Sequence, residues 1–199
     1  MTSRTVLADA AKKVASELRL RGFRQARLKF VRPGEEVVSL IEFQMSRSGT
    51  ADYSTFVINF GVIVPRLYQG RNVAAPFHTE CHWGCRVRDK ERHERWFSVR
   101  ERDSSDDLAR EMIQIIEADV VPVLATKQKE ADLIEAWMTG HGSGSSRIKK
   151  LEYVGLLLHH AGRFEELATV KKTLMETART PYEVGTLRVL EALEVPPSQ

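Results

Sequence analysis

Residues 77–85 read FHTECHWGC and gather two histidines, both cysteines and a tryptophan into nine positions. Residues of these types could hold a metal, supply a reactive thiol, or simply fill a strand. His78, Cys81, His82 and Cys85 are the ligand types of a tetrahedral zinc site. Ligands along one continuous element point in nearly the same direction, however, and cannot surround an ion. Written as a strand, the segment puts Cys81, Trp83, Cys85 and Val87 on one face and His82, Gly84 and Arg86 on the other. Cys81 and Cys85 would then lie about 13 Å apart at ~3.3 Å per residue, beyond the roughly 7 Å that a disulfide tolerates. The preferred reading is a core strand with small buried thiols beside Trp83, and neither a metal nor a cofactor is expected.

Other chemistry is sparse. The chain has no G-x-S-x-G elbow, no H-E-x-x-H pair and no phosphate-binding loop. Gly142 and Gly144 follow no strand and give no nucleotide fingerprint. Asp106 and Asp107 fit the first turn of a helix, where the dipole favours acids, and His159 and His160 fit a helix C-terminus. No residue is assigned a catalytic role, and an enzyme built on Cys81 or His82 is kept only as an alternative.

The elements that would position such residues follow from periodicity. Leu7, Ala10, Ala11, Val14 and Leu18 recur at helical spacing, and Gly22 suits the residue after a helix end. In QARLKFVR, Ala26, Leu28 and Phe30 alternate with Arg27 and Lys29, and VVSLIEFQM follows the Pro33-Gly34 turn as a second strand. YSTFVINFGVIV is the clearest strand: Phe56, Ile58, Phe60, Val62 and Val64 share one face, while Tyr53, Thr55 and Asn59 share the other. Pro65 stops it, the loop RLYQGRNVAAP leads to the histidine–cysteine segment, and ERWFSV suits a fifth strand. Ser104, with Asp107 three positions on, opens a helix bearing Leu108, Met112, Ile115 and Ile116. Pro122 is expected to end or kink it. A second helix over about 126–139 carries Leu133, Ile134 and Trp137.

GHGSGSS reads as flexible linker over 140–146, which divides the chain into a domain at 1–139 and a helical hairpin at 147–195. That hairpin turns at Ala161-Gly162 within HHAGRFEEL, and a short helix starts at Pro181. It resembles one tetratricopeptide-like unit. Such repeats normally stack about three deep, so a single copy is expected to dock on the main domain or on a partner.

The net charge of +3 is too small to imply nucleic acid, but it is unevenly spread: residues 1–34 hold nine Lys or Arg against two acids. The segment bears Arg19, Arg21, Arg24, Arg27, Lys29 and Arg32, which would suit a polyanion such as nucleic acid if they form one exposed row. One-sided charge of this kind also protects edge strands, and nucleic acid is not favoured. Alternation instead gathers Gln44, Asn59, His82 and Arg86 on the solvent face of the sheet, the preferred site for a partner. The N-terminus lacks the apolar stretch of a signal peptide, and no run approaches the ~18 apolar residues of a membrane helix. With two cysteines and no disulfide scaffold, a cytoplasmic location is expected.

Gly22-Phe23, Phe43-Gln44-Met45-Ser46, Asn59-Phe60-Gly61-Val62, Cys81-His82-Trp83 with Arg86, and Trp96 occur in an order that resembles the bacterial domain-of-unknown-function family 4304, over residues of about 5–138. Trp96-Phe97 stands where the family would have paired tryptophans. The resemblance implies an α+β domain and no reaction. The expected protein is α+β: an N-terminal helix on an antiparallel sheet of four or five strands, then helices and a C-terminal α-hairpin. Its expected role is non-enzymatic protein interaction or regulation.

Overall fold

A computed structural model describes residues 2–68, 76–140 and 146–193. The chain forms two compact units, 1–128 and 129–199. Unit 1 opens with α1 (Ser3–Arg19), whose buried face of Val6, Leu7, Ala10, Ala11, Val14 and Leu18 has the spacing seen in the sequence. Its start is tied to the sheet: the Ser3 amide donates to the Ala51 carbonyl at 2.8 Å, and the Ser3 and Ser54 hydroxyls meet at 2.9 Å in the interior.

Among the described residues six antiparallel strands form one sheet: β1 (Arg24–Ala26), β2 (Lys29–Arg32), β3 (Val38–Met45), β4 (Tyr53–Ile63), β5 (Trp83–Arg86) and β6 (Phe97–Arg100). The order is β1-β2-β3-β4, and the far edge of β4 is shared end to end by β6 and β5. The basic stretch expected as one strand divides in two, because Arg27 adopts φ +61° and turns the chain. Lys29 therefore lies opposite Glu42, while Phe30 faces inward beside Ile41.

The inner face, against α1, carries a row of rings. Phe30 meets Phe43 at 5.0 Å, Phe43 meets Phe56 at 6.0 Å, and Phe56 stacks on Phe97 at 5.2 Å. Each such pair adds about 0.5–1.5 kcal/mol beyond simple area burial. This row joins β2, β3, β4 and β6 and positions the sheet rigidly.

The histidine–cysteine segment differs from its expected form. His78–Glu80 is a single 3-10 turn, and β5 begins only at Trp83. Trp83 and Cys85 face inward opposite Val62 and Phe60, as alternation requires. Cys81 precedes the strand and lies on the outer face instead. The reason is a facing pair of glycines, Gly61 and Gly84. A Cβ on Gly61 would come within 2.5 Å of the Trp83 carbonyl oxygen and 2.9 Å of Cys81 Sγ, and one on Gly84 within 2.7 Å of His78 Nε2. The two bare positions form a notch, and the turn docks in it.

Ser104 caps α2 (Ser105–Ile115), its hydroxyl accepting the Asp107 amide at 3.3 Å. Pro122 neither ends nor breaks the helical path. A π-helical segment at Ile116–Val120 precedes it, and the proline opens α3 (Val121–Ala125), where its missing donor costs little.

Unit 2 contains α4 (Glu130–Met138), α5 (Arg147–His160), α6 (Phe164–Thr177) and α7 (Pro181–Glu191). Contacts group α4 with the helices after it, and Trp137 lies 5.9 Å from the Tyr153 ring. Gly162 at φ +69° makes the α5–α6 turn, and Gly155 faces Leu190 where α5 and α7 approach closely. Most of the GHGSGSS linker, at 141–145, lies outside the described residues, as do 69–75 of the loop after Pro65. Among the described residues no helix is long and apolar enough to cross a membrane.

Gly61→Ala should lower the unfolding free energy by about 1–3 kcal/mol, the usual range for an overpacked site. Denaturant titration checks this, and unchanged stability would contradict the docked turn.

Candidate functional site

The outer face of the sheet carries three of the four residues chosen from alternation. Asn59 is wholly buried, donates to Gln44 Oε1 at 2.7 Å and accepts from Arg86 Nε at 2.9 Å. Arg86 continues to Glu94 at 2.6 Å. The chain Gln44–Asn59–Arg86–Glu94 thus braces β3, β4, β5 and the loop before β6. Stranding a buried amide costs about 1–3 kcal/mol, whereas the half-exposed Arg86–Glu94 pair is worth at most about 1 kcal/mol. These groups hold the sheet face in shape more than they offer free donors to a ligand.

His82 stands apart from this network. Its ring is buried, and Nδ1 accepts the Val64 amide at 3.0 Å beyond the end of β4. It lies one residue before β5, so alternation counted along the expected strand misplaces it.

The turn in the glycine notch is held by Glu42, which accepts the His78 amide at 3.0 Å, and by Glu80, which accepts the Phe77 amide at 2.6 Å. Cys81 packs there beside an apolar cluster of Val31, Val38, Leu40 and Ile63. Burial, with the charges of Glu42 and Glu80, pushes its thiol well above the ordinary range. A nucleophilic cysteine needs the opposite shift. Burial also holds the His78 imidazole below its ordinary value. The Phe60 backbone opposes this, the Arg86 charge adds to it, and the Cys85 backbone opposes it again. His78 Nε2 is buried and makes no hydrogen bond of ordinary geometry. Among the described residues, no group of three or more His, Cys, Asp or Glu is arranged to hold a metal ion.

The docked turn carries Phe77, which is 58% exposed and lies beneath the Lys29 ammonium at 3.2 Å. Phe77 forms one wall of a groove of about 670 Å³ running beside β3. Ala26, Leu28, Phe43 and Met45 contribute apolar surface, and Gln44 links the groove to the polar network. Arg4, Arg27, Lys29 and Arg47 line it, and none of the four has a carboxylate partner among the described residues. Some basic groups elsewhere are paired: Arg21 with Glu117, Arg95 with Glu111 and Arg163 with Glu166.

The six residues of the basic stretch do not act together. Arg27 and Lys29 enter the groove, whereas Arg21 pairs with Glu117. Arg32 lies over the Phe23 ring at 5.0 Å and donates to Ser39 at 3.3 Å. Arg19 and Arg24 are exposed outside the groove. Sequence reasoning missed Arg4, Arg47, Met45 and Phe77. Basic residues flanking the end of β3 were the available signal for Arg47, but no periodicity marks Phe77. Unit 2 has its own cavity of about 450 Å³, lined by Trp137, Leu151, Val154, Val170, Arg147 and Lys150.

A family model described as a domain of unknown function, DUF4304, matches residues 14–126, more than half of the chain. No curated protein and no solved structure matches.

The depressed His78 value makes stability depend on pH. In the unfolded chain His78 takes up a proton near pH 6.5, while the folded chain resists until lower pH. The unfolded state then holds more protons, so stability falls as pH drops between the two values. Between about pH 7 and pH 5.5 the native chain should lose stability faster than His78→Asn. Equal slopes in denaturant titrations would contradict this.

Proposed function

The chain belongs to the DUF4304 family, and we propose that it is a protein-interaction or regulatory protein with no reaction of its own, which engages another protein at the β3 groove. The observation that carries this reading is the groove itself: an apolar floor, an exposed Phe77 wall and four basic residues without carboxylate partners. An exposed aromatic beside apolar surface and flanking charge is the usual make-up of a docking patch. The proposal sets the protein in a bacterial cytoplasm, where its two free thiols would stay reduced. The raised Cys81 thiol argues against the enzyme alternative in its nucleophilic form.

Nucleic acid or another polyanion is the second reading. It draws on the same Arg27 and Lys29, but it has weaker support because Arg21 and Arg32 are engaged elsewhere. A phosphate backbone would also leave the apolar floor without a partner.

A photoreactive phenylalanine analogue at Phe77, and separately at Arg110 on α2, tests the proposal in cells. One discrete protein adduct is expected from position 77 and none from position 110. Identical adducts from both positions, or nuclease-sensitive material alone from 77, would overturn it.

A further inference from the structure

β3 outruns β2. Their pairing stops at Lys29 opposite Glu42, and one further bond runs from the Phe43 amide to the Leu28 carbonyl at 2.8 Å. On its other side β3 stays paired with β4 as far as Met45 opposite Phe56, and the Ser46 amide then donates to Thr55 at 2.8 Å. In an antiparallel ladder alternate residues bond to opposite sides. Ser46 bonds toward β4 and Phe43 toward β2, so the N–H and C=O of Met45 point away from β4. There β2 has already ended. No partner for either Met45 group is found among the described residues.

This open edge is part of the groove already described, which leaves about 670 Å³ of space beside it. An unpaired strand edge is a template for another strand. Proteins usually protect such edges with charge, and here the nearby charges are Arg4, Arg27, Lys29 and Arg47. They would repel a basic strand and attract an acidic one. Among the described residues Glu42 is the single acid lining the groove, and it is committed to the His78 amide.

We infer that the groove takes an acidic segment of another protein as an added, extended strand paired to Met45 of β3. The inference rests on the interaction reading above. A segment alternating acidic with apolar residues suits the site, because an added strand sends successive side chains to opposite faces. The acids then take the outer face, where Lys29 lies opposite Glu42, and the apolar side chains take the inner face beside Leu28 and Met45. Backbone bonds at Met45 fix the register, and side-chain pockets set specificity. Nucleic acid has no backbone amide to donate to the Met45 carbonyl, and an anionic membrane cannot satisfy a strand edge.

The test uses the full chain and fluorescent peptides. One peptide alternates Glu with Val or Leu. The others are the same sequence with Lys for Glu, with Ser for the apolar residues, and with alternate amides N-methylated. Single-stranded DNA and phosphatidylserine vesicles complete the set. The acidic alternating peptide should bind, and affinity should fall as salt rises. The Ser peptide and one of the two N-methylated registers should each bind at least about tenfold more weakly, a change of ~1.4 kcal/mol. Arg27→Glu with Lys29→Glu should cause a similar or larger loss. Arg19→Glu with Arg102→Glu, which changes net charge equally outside the groove, should cause much less. Melting curves confirm that each variant is folded.

Equal affinity for both N-methylated registers and the unmodified peptide would overturn strand addition. So would equal losses in the two charge-reversal pairs, or binding of DNA or vesicles without the acidic peptide. If the acidic peptide fails while Phe77 still cross-links one protein, the strand inference falls and the interaction reading stands.

Discussion

Two glycines that face each other across β4 and β5 determine what the outer side of this sheet becomes. Because neither Gly61 nor Gly84 carries a side chain, the His78–Glu80 turn can lie directly on the strands. Glu42 fixes the turn through the His78 amide, and the turn in turn holds Phe77 against Lys29. Without the notch, Phe77 would have no support and the groove would lose a wall. A local backbone property of two residues thus reaches, through one packed turn, to the surface proposed to bind a partner.

The inner face supplies the rigidity that such a surface needs. Phenylalanines from four strands pack against one another beneath α1, and the Ser3–Ser54 contact fixes where that helix begins. On the outer face the Gln44–Asn59–Arg86–Glu94 chain does comparable work with polar groups. Buried amides of this kind specify one arrangement, because any other leaves them unpaired. The cations without carboxylate partners lie at the end of this braced region, beside the stretch of β3 that no strand of the described residues covers.

Much of the sheet was legible because strands buried on one face alternate. Phe56, Ile58 and Phe60 declared the inner side of β4, and Asn59 with Arg86 followed on the outer side. The α2 cap was legible from Ser104 and Asp107. The failures have specific physical causes. Arg27 turns the chain with a positive φ that a non-glycine residue does not advertise. His78–Glu80 lies beside alternating residues, yet a distant glycine pair decides its form. Pro122 signals an end to the helix, but the π-helical segment absorbs it. The open edge at Met45 depends on where β2 stops, and sequence marks strand ends poorly.

Residue-resolved amide hydrogen exchange of the free protein tests the central claim most directly. Met45 should exchange rapidly while Phe43 and Ser46, whose amides are bonded to Leu28 and Thr55, exchange slowly. Adding the acidic alternating peptide should then slow Met45. If Met45 is as protected as its neighbours in the free protein, the edge is not open and the account of the groove is wrong.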